Sequence, residues 1–461
     1  MVRNILFRLL IVLLVLPAGC KVQRDTAELP LEVPGSFSSG GDAPVPNKWW
    51  MVFGDTTLNA LIDTALNSNF SLMTAWHRLQ ESRAVVDRES SYLFPDLEAF
   101  CDAEANRPES ENLDSERFSA GLGAFYEVDL WGRIRSQIDA RRYIADASRA
   151  DYQAAALSLA AEITITWYRL LEAANQVELI RSQIETNERV LAIIRNRFGS
   201  GMVRSVDILR QKQLLEATRE QKYYAEGRFE VLKHQLNVLT GRPPQDEILF
   251  AAHALPELPP LPVTGIPIEL VERRPDVRSA WLLLQAADSE MAAAISNKYP
   301  RLTISASLYS TSGNIGNLFE NWAFSVAGNL LAPVFYGGRL SAEADRTEAA
   351  KYQRLYEYGQ RVLTAFHEVE DALARETAQE KSLSSLQRQL ELSVQTTGQL
   401  RNEYLNGMSN YLDVLVAMDQ EQRLRRNLLD ARLMLVENRI SLYRALAGGF
   451  QTEREQGQAL K

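Results

Sequence analysis

Two cysteines, Cys20 and Cys101, are all that 461 residues contain, so neither a disulfide framework nor a cysteine-rich metal site can be built. Histidine is almost as scarce. His77, His234, His253 and His367 stand apart, with no HExxH, CxxC, GxSxG or P-loop pattern nearby, so no metal, no catalytic set and no cofactor is expected. Basic charge is also short: 50 Lys and Arg against 59 Asp and Glu leave a net charge of −9, which argues against nucleic acid as a partner. No run of eighteen apolar residues occurs, so no transmembrane helix is available. Yet 46% of the residues are hydrophobic and 24% charged, the balance of an ordered chain with a large core.

What is present begins with an export address. Arg3 and Arg8 precede an apolar stretch from Leu9 to Leu16, which closes on Pro17, Ala18, Gly19 and Cys20. A basic end, a short apolar stretch and small residues make a secretory signal, too short to span a bilayer. Cysteine directly after Ala-Gly resembles the bacterial lipobox. That resemblance implies removal of residues 1–19 and a covalent lipid on Cys20. Lys21 follows, not the aspartate that resembles an inner-membrane retention signal, so the outer membrane of a Gram-negative bacterium is the expected location.

Proline is confined. Of 17 prolines, none lies between Glu109 and Arg242 and none between Val334 and Lys461. Because proline costs about 3 kcal/mol inside a helix, two segments of more than a hundred residues are free to form long helices. Ala160, Ile163, Trp167, Leu170, Ala174, Val177, Ile180 and Ile184 follow the 3 and 4 rhythm of helices packed along their length. The stretch from Gly132 to Gly199 would run about 100 Å as one helix.

A period near 205 residues recurs along the chain. FPDL (94–97) matches YPRL (299–302), DLWGRI (129–134) matches VFYGGRL (334–340), and FGSGMVRSVDIL (198–209) matches YLNGMSNYLDVL (404–415). This is a tandem duplication. The expected division is a lipid-anchored segment over 20–57, a first repeat over 58–242, a connector over 243–267, a second repeat over 268–449 and a tail over 450–461. The connector holds seven prolines and reads as extended.

Within each repeat the first helix stops at Pro95 or Pro300 and short alternating segments follow. Leu302, Ile304, Ala306 and Leu308 alternate with Thr303, Ser305 and Ser307, and Phe118, Ala120, Leu122, Ala124 and Tyr126 oppose Ser119, Gly121 and Gly123. Period two predicts strands, near 95–106 and 117–129 in the first repeat and near 300–309 and 321–332 in the second. The segment from Leu97 to Ala105 is the weakest of the four. Ten residues is the length of a tilted membrane strand. An exported chain without an apolar helix can cross an outer membrane only as a closed barrel, and four strands cannot close one. Two copies would supply eight strands and three would supply twelve. Small residues on the inner face favour the wider, wet option.

Four segments now carry a resemblance. WWMVFGDTTLNALI (49–62), ERRPDVRSA (272–280), LLAPVFYGGRL (330–340) and YLNGMSNYLDVL (404–415) resemble the hallmark segments of the TolC and OprM outer-membrane factors, in particular the lipoprotein NodT-like branch. The resemblance implies an α+β membrane protein: a homotrimer whose twelve-stranded β-barrel, four strands per protomer, is continued by a long α-helical periplasmic barrel with an equatorial belt. It implies the exit duct of a tripartite efflux pump for drugs or other toxic small molecules. The partners it implies are a periplasmic adaptor (membrane fusion) protein and an inner-membrane pump of the RND type.

Gly201 and Gly407 sit where two long helices must reverse, and glycine there caps a helix. By resemblance these tips, Gly201 with Met202 and Gly407 with Met408, receive the adaptor. Asp413 matches a gate aspartate of TolC-like members, Leu412 matches an apolar constriction of OprM-like members, and Asp207 is the duplicate of Asp413 in the first repeat. A ring of three carboxylates would narrow a pore and attract cations. The bland reading of such an acid is a solvated residue at a helix start. Pro275 and Asp276 in ERRPDV read as another helix start, and Arg197, Arg204 and Arg210 lie close enough in sequence to reach the tip carboxylates. The rival functions are the outer channel of a type I protein secretion system, a passive porin, and a lipid-anchored periplasmic coiled-coil spacer that crosses no membrane.

Overall fold

The structure, a computed structural model, describes residues 31, 34–106, 115–248, 250, 254–265 and 267–459. The expected export signal over 1–19, Cys20, His253 and residues 107–114 lie outside the described residues. Among the described residues nine α-helices alternate with two β-hairpins: α1 (Thr56–Ser68), α2 (Phe70–Ser91), β1 (Asp96–Asn106), β2 (Ser115–Val128), α3 (Arg133–Gly199), α4 (Ser205–Leu239), α5 (Pro267–Arg273), α6 (Pro275–Ser296), β3 (Arg301–Ser312), β4 (Trp322–Leu331), α7 (Arg339–Leu405), α8 (Tyr411–Leu446) and α9 (Glu453–Ala459). The helices α3 and α7 are each 67 residues long, as the absence of proline permits. Among the described residues no helix is long and apolar enough to cross a membrane.

The chain packs as two compact units that cut across the duplication. One comprises His77–Ala150 and Arg278–Arg361; the other comprises Glu32–Trp76, Asp151–Val277 and Val362–Lys461. Each unit takes a matching part from both repeats, so the repeat is a unit of sequence and not of packing.

The first unit holds an antiparallel sheet in the order β1-β2-β3-β4. Each repeat contributes one hairpin, and the hairpins join through β2 and β3 in a register that sets Phe118 opposite Ser312 and Val128 opposite Leu302. Alternation then sorts the two faces. Leu97, Ala99, Leu122, Ala124, Ala306, Leu308, Phe324 and Val326 share one face, and Glu98, Asp102, Ser119, Thr303, Ser305, Ser307 and Ser325 share the other. Cys101 is a free, exposed thiol on the apolar face. The strand-to-helix joints of the two repeats also meet, with Trp131 stacked on Tyr299 at 5.1 Å and its Nε1 donating to the Pro300 carbonyl at 2.8 Å. Lys351 on α7 forms a buried ion pair with Asp288 on α6 at 2.8 Å.

The core of the second unit is built around the WWMVF segment, a 3₁₀ turn over Trp49–Phe53. Trp49 stacks on Tyr443 at 5.9 Å and Trp50 meets Phe450 edge-on at 5.2 Å. Asp55 follows as the N-cap of α1, accepting from the backbone of Thr57 and Leu58, while its second oxygen accepts from Trp167 Nε1 at 2.7 Å. One motif therefore anchors the amino-terminal segment, starts a helix and tethers α3. In ERRPDV, Pro275 is the first residue of α6. Its neighbour Arg274 is buried and held by Asp276 and by Glu368 of α7, each at 2.8 Å. The connector is extended: Gly41 N donates to Pro262 O at 3.0 Å and Val263 N to Ala43 O at 2.7 Å. Arg439 of α8 clamps Glu376 of α7 and the carbonyls of Pro259 and Pro260.

Candidate gate and docking tips

Both long helices end in the same backbone device. At the end of α3, Met202 N donates to Arg197 O at 3.0 Å and Gly201 N to Phe198 O at 2.9 Å; at the end of α7, Met408 N donates to Glu403 O at 2.9 Å and Gly407 N to Tyr404 O at 3.1 Å. This 6→1 and 5→2 pairing is a Schellman cap, and it places Gly201 and Gly407 at φ of 72° and 76°. A Cβ at either position would meet nothing within 4 Å, so the requirement for glycine is purely conformational. Gly407→Ala is expected to cost about 1–2 kcal/mol, and Gly407→Asn clearly less, since asparagine tolerates the left-handed region; thermal unfolding of the purified variants checks the order. The methionine after each glycine is exposed, 67% for Met202 and 72% for Met408. Each tip therefore presents an apolar, adaptable side chain to its surroundings.

The duplicate acids behind the tips differ. Asp207 and Asp413 both stand at the third position of a helix, α4 and α8. In α8 the N-cap is Asn410, whose side chain accepts from Asp413 N at 3.2 Å. The Asp413 carboxylate is left exposed, taking a bond from Ser409 Oγ at 3.3 Å. In α4 the N-cap is Arg204, which has no side-chain acceptor. The Asp207 carboxylate instead folds back to accept from Arg204 N at 3.3 Å, and lies 3.9 Å from the Arg204 guanidinium and 3.7 Å from that of Arg210, only 7% exposed. Leu412 is 40% exposed beside Asp413. Arg197 does not reach a tip carboxylate by ion pairing; its guanidinium lies 4.7 Å over the Tyr404 ring.

The helix pairs α3–α4 and α7–α8 share one small core behind their tips. Ile194 of α3 packs with Tyr411, Val414 and Met418 of α8, flanked by Val203, Ile208 and Tyr404. Burial pushes the Tyr411 hydroxyl well above its ordinary range, so it stays protonated and donates to Gln211 of α4. Sequence reasoning missed what continues from this bond, a buried line of amides between α3, α4 and α8 that includes Gln211, Asn187, Gln422 and Gln183. Its signal was available: Gln176, Gln183 and Asn187 fall at intervals of seven and four, on the helix-packing rhythm where apolar residues are expected. At the far end Glu172 of α3 is fully buried, with Arg228 of α4 at 3.0 Å and Arg228 in turn 3.8 Å from Asp430 of α8. Among the described residues no group of His, Cys, Asp and Glu could hold a metal ion.

Comparison with known proteins is uniform. The sequence profile of the family described as outer membrane efflux protein matches residues 61–242 and 266–448. The pyoverdine export outer membrane protein OpmQ of Pseudomonas aeruginosa is 29% identical over 429 residues, 90% of each chain. The probable outer membrane lipoprotein SilC of Salmonella typhimurium is 26% identical over 452 residues, 94% of this chain and 96% of its own. Among solved structures, the outer-membrane channel OprN superposes with a TM-score of 0.87 at 27% identity, over 93% of this chain and 99% of that one.

Proposed function

This chain belongs to the outer membrane efflux protein family, whose profile matches both of its repeats, and from that premise we propose that three copies pool their sheets into a twelve-stranded barrel. The chain is an outer-membrane exit duct and not an enzyme. The observation that carries the trimer is the sheet itself: four strands, one apolar face, one polar face, and outer strands β1 and β4 with no further strand paired to them among the described residues. In lipid such edges must be paired. A second observation agrees. Tyr224, Val231 and Val238 are exposed on α4 at intervals of seven, the seam of a helix that packs lengthwise on another.

In this reading the long helices continue the duct into the periplasm, and the tips at Gly201–Met202 and Gly407–Met408 meet a periplasmic adaptor. The adaptor couples the duct to an inner-membrane pump of the RND type. Leu412 and Asp413, exposed at the start of α8, form the constriction, while Asp207, buried among Arg204 and Arg210, braces it from behind. Cys20 carries the lipid, as the lipoprotein SilC supports. The cargo is small molecules rather than protein, in keeping with the pyoverdine of OpmQ.

The test is mass and conductance. Light scattering in detergent is expected to give three times the chain mass, and planar bilayers discrete channels; a monomer that stays in solution without detergent and conducts nothing overturns the reading. Asp413→Asn is expected to lower the cation preference of those channels, read as a reversal potential closer to zero under a salt gradient.

A further inference from the structure

Beside the connector, inside the second unit, two helices fail to close on one another. Leu383 and Leu390 stand seven residues apart on α7 and Leu428 and Leu435 seven apart on α8, the spacing of a seam that ordinarily shuts. The helices do touch near this level, where Gln379 Nε2 donates to Ala431 O at 2.8 Å. All four leucines nevertheless remain half-buried. They line a cavity of about 900 Å³ whose other walls are α3, through Leu179, and residues 254–258 of the connector. The connector wall is fixed, because Arg439 holds the carbonyls of the next two residues, Pro259 and Pro260. The cavity is therefore preformed.

Volume and charge decide what it takes. A ten-residue helix, a cylinder about 10 Å wide and about 15 Å long, displaces about 1,200 Å³, more than the cavity holds. A drug-sized molecule fits, since its pockets run from about 300 to about 1,000 Å³. Four charged side chains border the cavity. Glu178 lies 3.6 Å from Arg181 and Arg425 lies 2.7 Å from Glu421, so these two are satisfied by neighbours on their own helices. Glu257 on the connector and Arg432 on α8 have no ion-pair partner among the described residues, each other included. Unlike charges on two walls of one cavity, neither satisfied by the other, match a molecule that carries both. We infer that this cavity is a binding site for a small zwitterionic amphiphile: its apolar body lies among the leucines, its acid group accepts from the Arg432 guanidinium, and its ammonium donates to the Glu257 carboxylate. The leucine walls reject a zwitterion without an apolar body, because polar groups placed there lose water and gain no partner. The site stands apart from the tips, and it holds whether or not the chain conducts.

The experiment is a fluorescence titration of the full-length protein in lipid nanodiscs, with the signal of empty discs subtracted. Three probes share one apolar body and differ in charge: Nε-dansyl-L-lysine is zwitterionic, dansylglycine anionic and dansylcadaverine cationic. Dansyl-lysine is expected to give a saturable rise and to bind about tenfold more tightly than either of the others. Arg432→Gln is expected to weaken dansyl-lysine and dansylglycine about tenfold and to leave dansylcadaverine unchanged. Glu257→Gln is expected to weaken dansyl-lysine and dansylcadaverine about tenfold and not to weaken dansylglycine. Ser182→Trp, a change on the exposed part of α3 that borders the cavity, fills it without touching the core and is expected to abolish binding of all three. No saturable rise, equal affinity for the three probes, charge variants without effect, or binding that survives Ser182→Trp overturns the site. A protein that binds dansyl-lysine in this pattern yet forms no channel supports the site and overturns the duct instead.

Discussion

Replacing Arg439 by methionine is expected to cost the fold about 3–5 kcal/mol. Arg439 and Glu376 are 4% and 3% exposed, and the guanidinium serves the carboxylate through Nε at 3.1 and 3.0 Å while Nη1 caps the carbonyls of Pro259 and Pro260. Removing the arginine leaves a charge buried without its counter-ion and two connector carbonyls without a donor. The penalty is dominated by the stranded carboxylate. It follows that Glu376→Leu combined with Arg439→Met recovers most of the loss. Thermal unfolding in detergent of the parent, the single and the double variants checks this. Equal unfolding temperatures for parent and single variant would refute it.

Glu172 has the opposite character. Burial raises its carboxyl from 4.5 to about 7, against the pull of Arg228, with Asp430 adding to the rise. A folded-state value above the unfolded one means that the folded chain keeps a proton the unfolded chain has released. The stabilisation this proton provides is complete below pH of about 4.5 and is lost as pH rises through about 7. At most about 3 kcal/mol is at stake. Glu172→Gln carries a permanently neutral group of the same size, so it is expected to match the parent near pH 4.5 and to exceed it at pH 8. Urea or thermal unfolding across that window measures the crossover, and a variant weaker than the parent at pH 8 contradicts it.

The long helices and the duplication were legible because their signals are local and additive: no proline, a steady apolar rhythm, and motifs repeated in order. Three strands were legible for the same reason. The segment that became β1 was the faint one, since Glu98, Asp102 and Glu104 are poor strand formers, and only the register against β2 explains them, by sending all three to the polar face. The difference between Asp207 and Asp413 was legible in principle. It follows from the residue three places earlier, arginine in one repeat and asparagine in the other. A match between duplicated motifs conceals that difference, because a cap acts through its side chain while the motif is recognised by its frame. The packing into two units was not legible, since it depends on which halves of the repeats find each other in space.

The unfinished borders of the sheet also bear on biogenesis. A newly exported chain carries two raw strand margins and cannot enter lipid alone at tolerable cost, so subunit encounter and membrane insertion must be one event. Functional ducts should therefore appear only above a threshold supply of chains, and a cell that makes too few would accumulate stranded subunits rather than fewer pores.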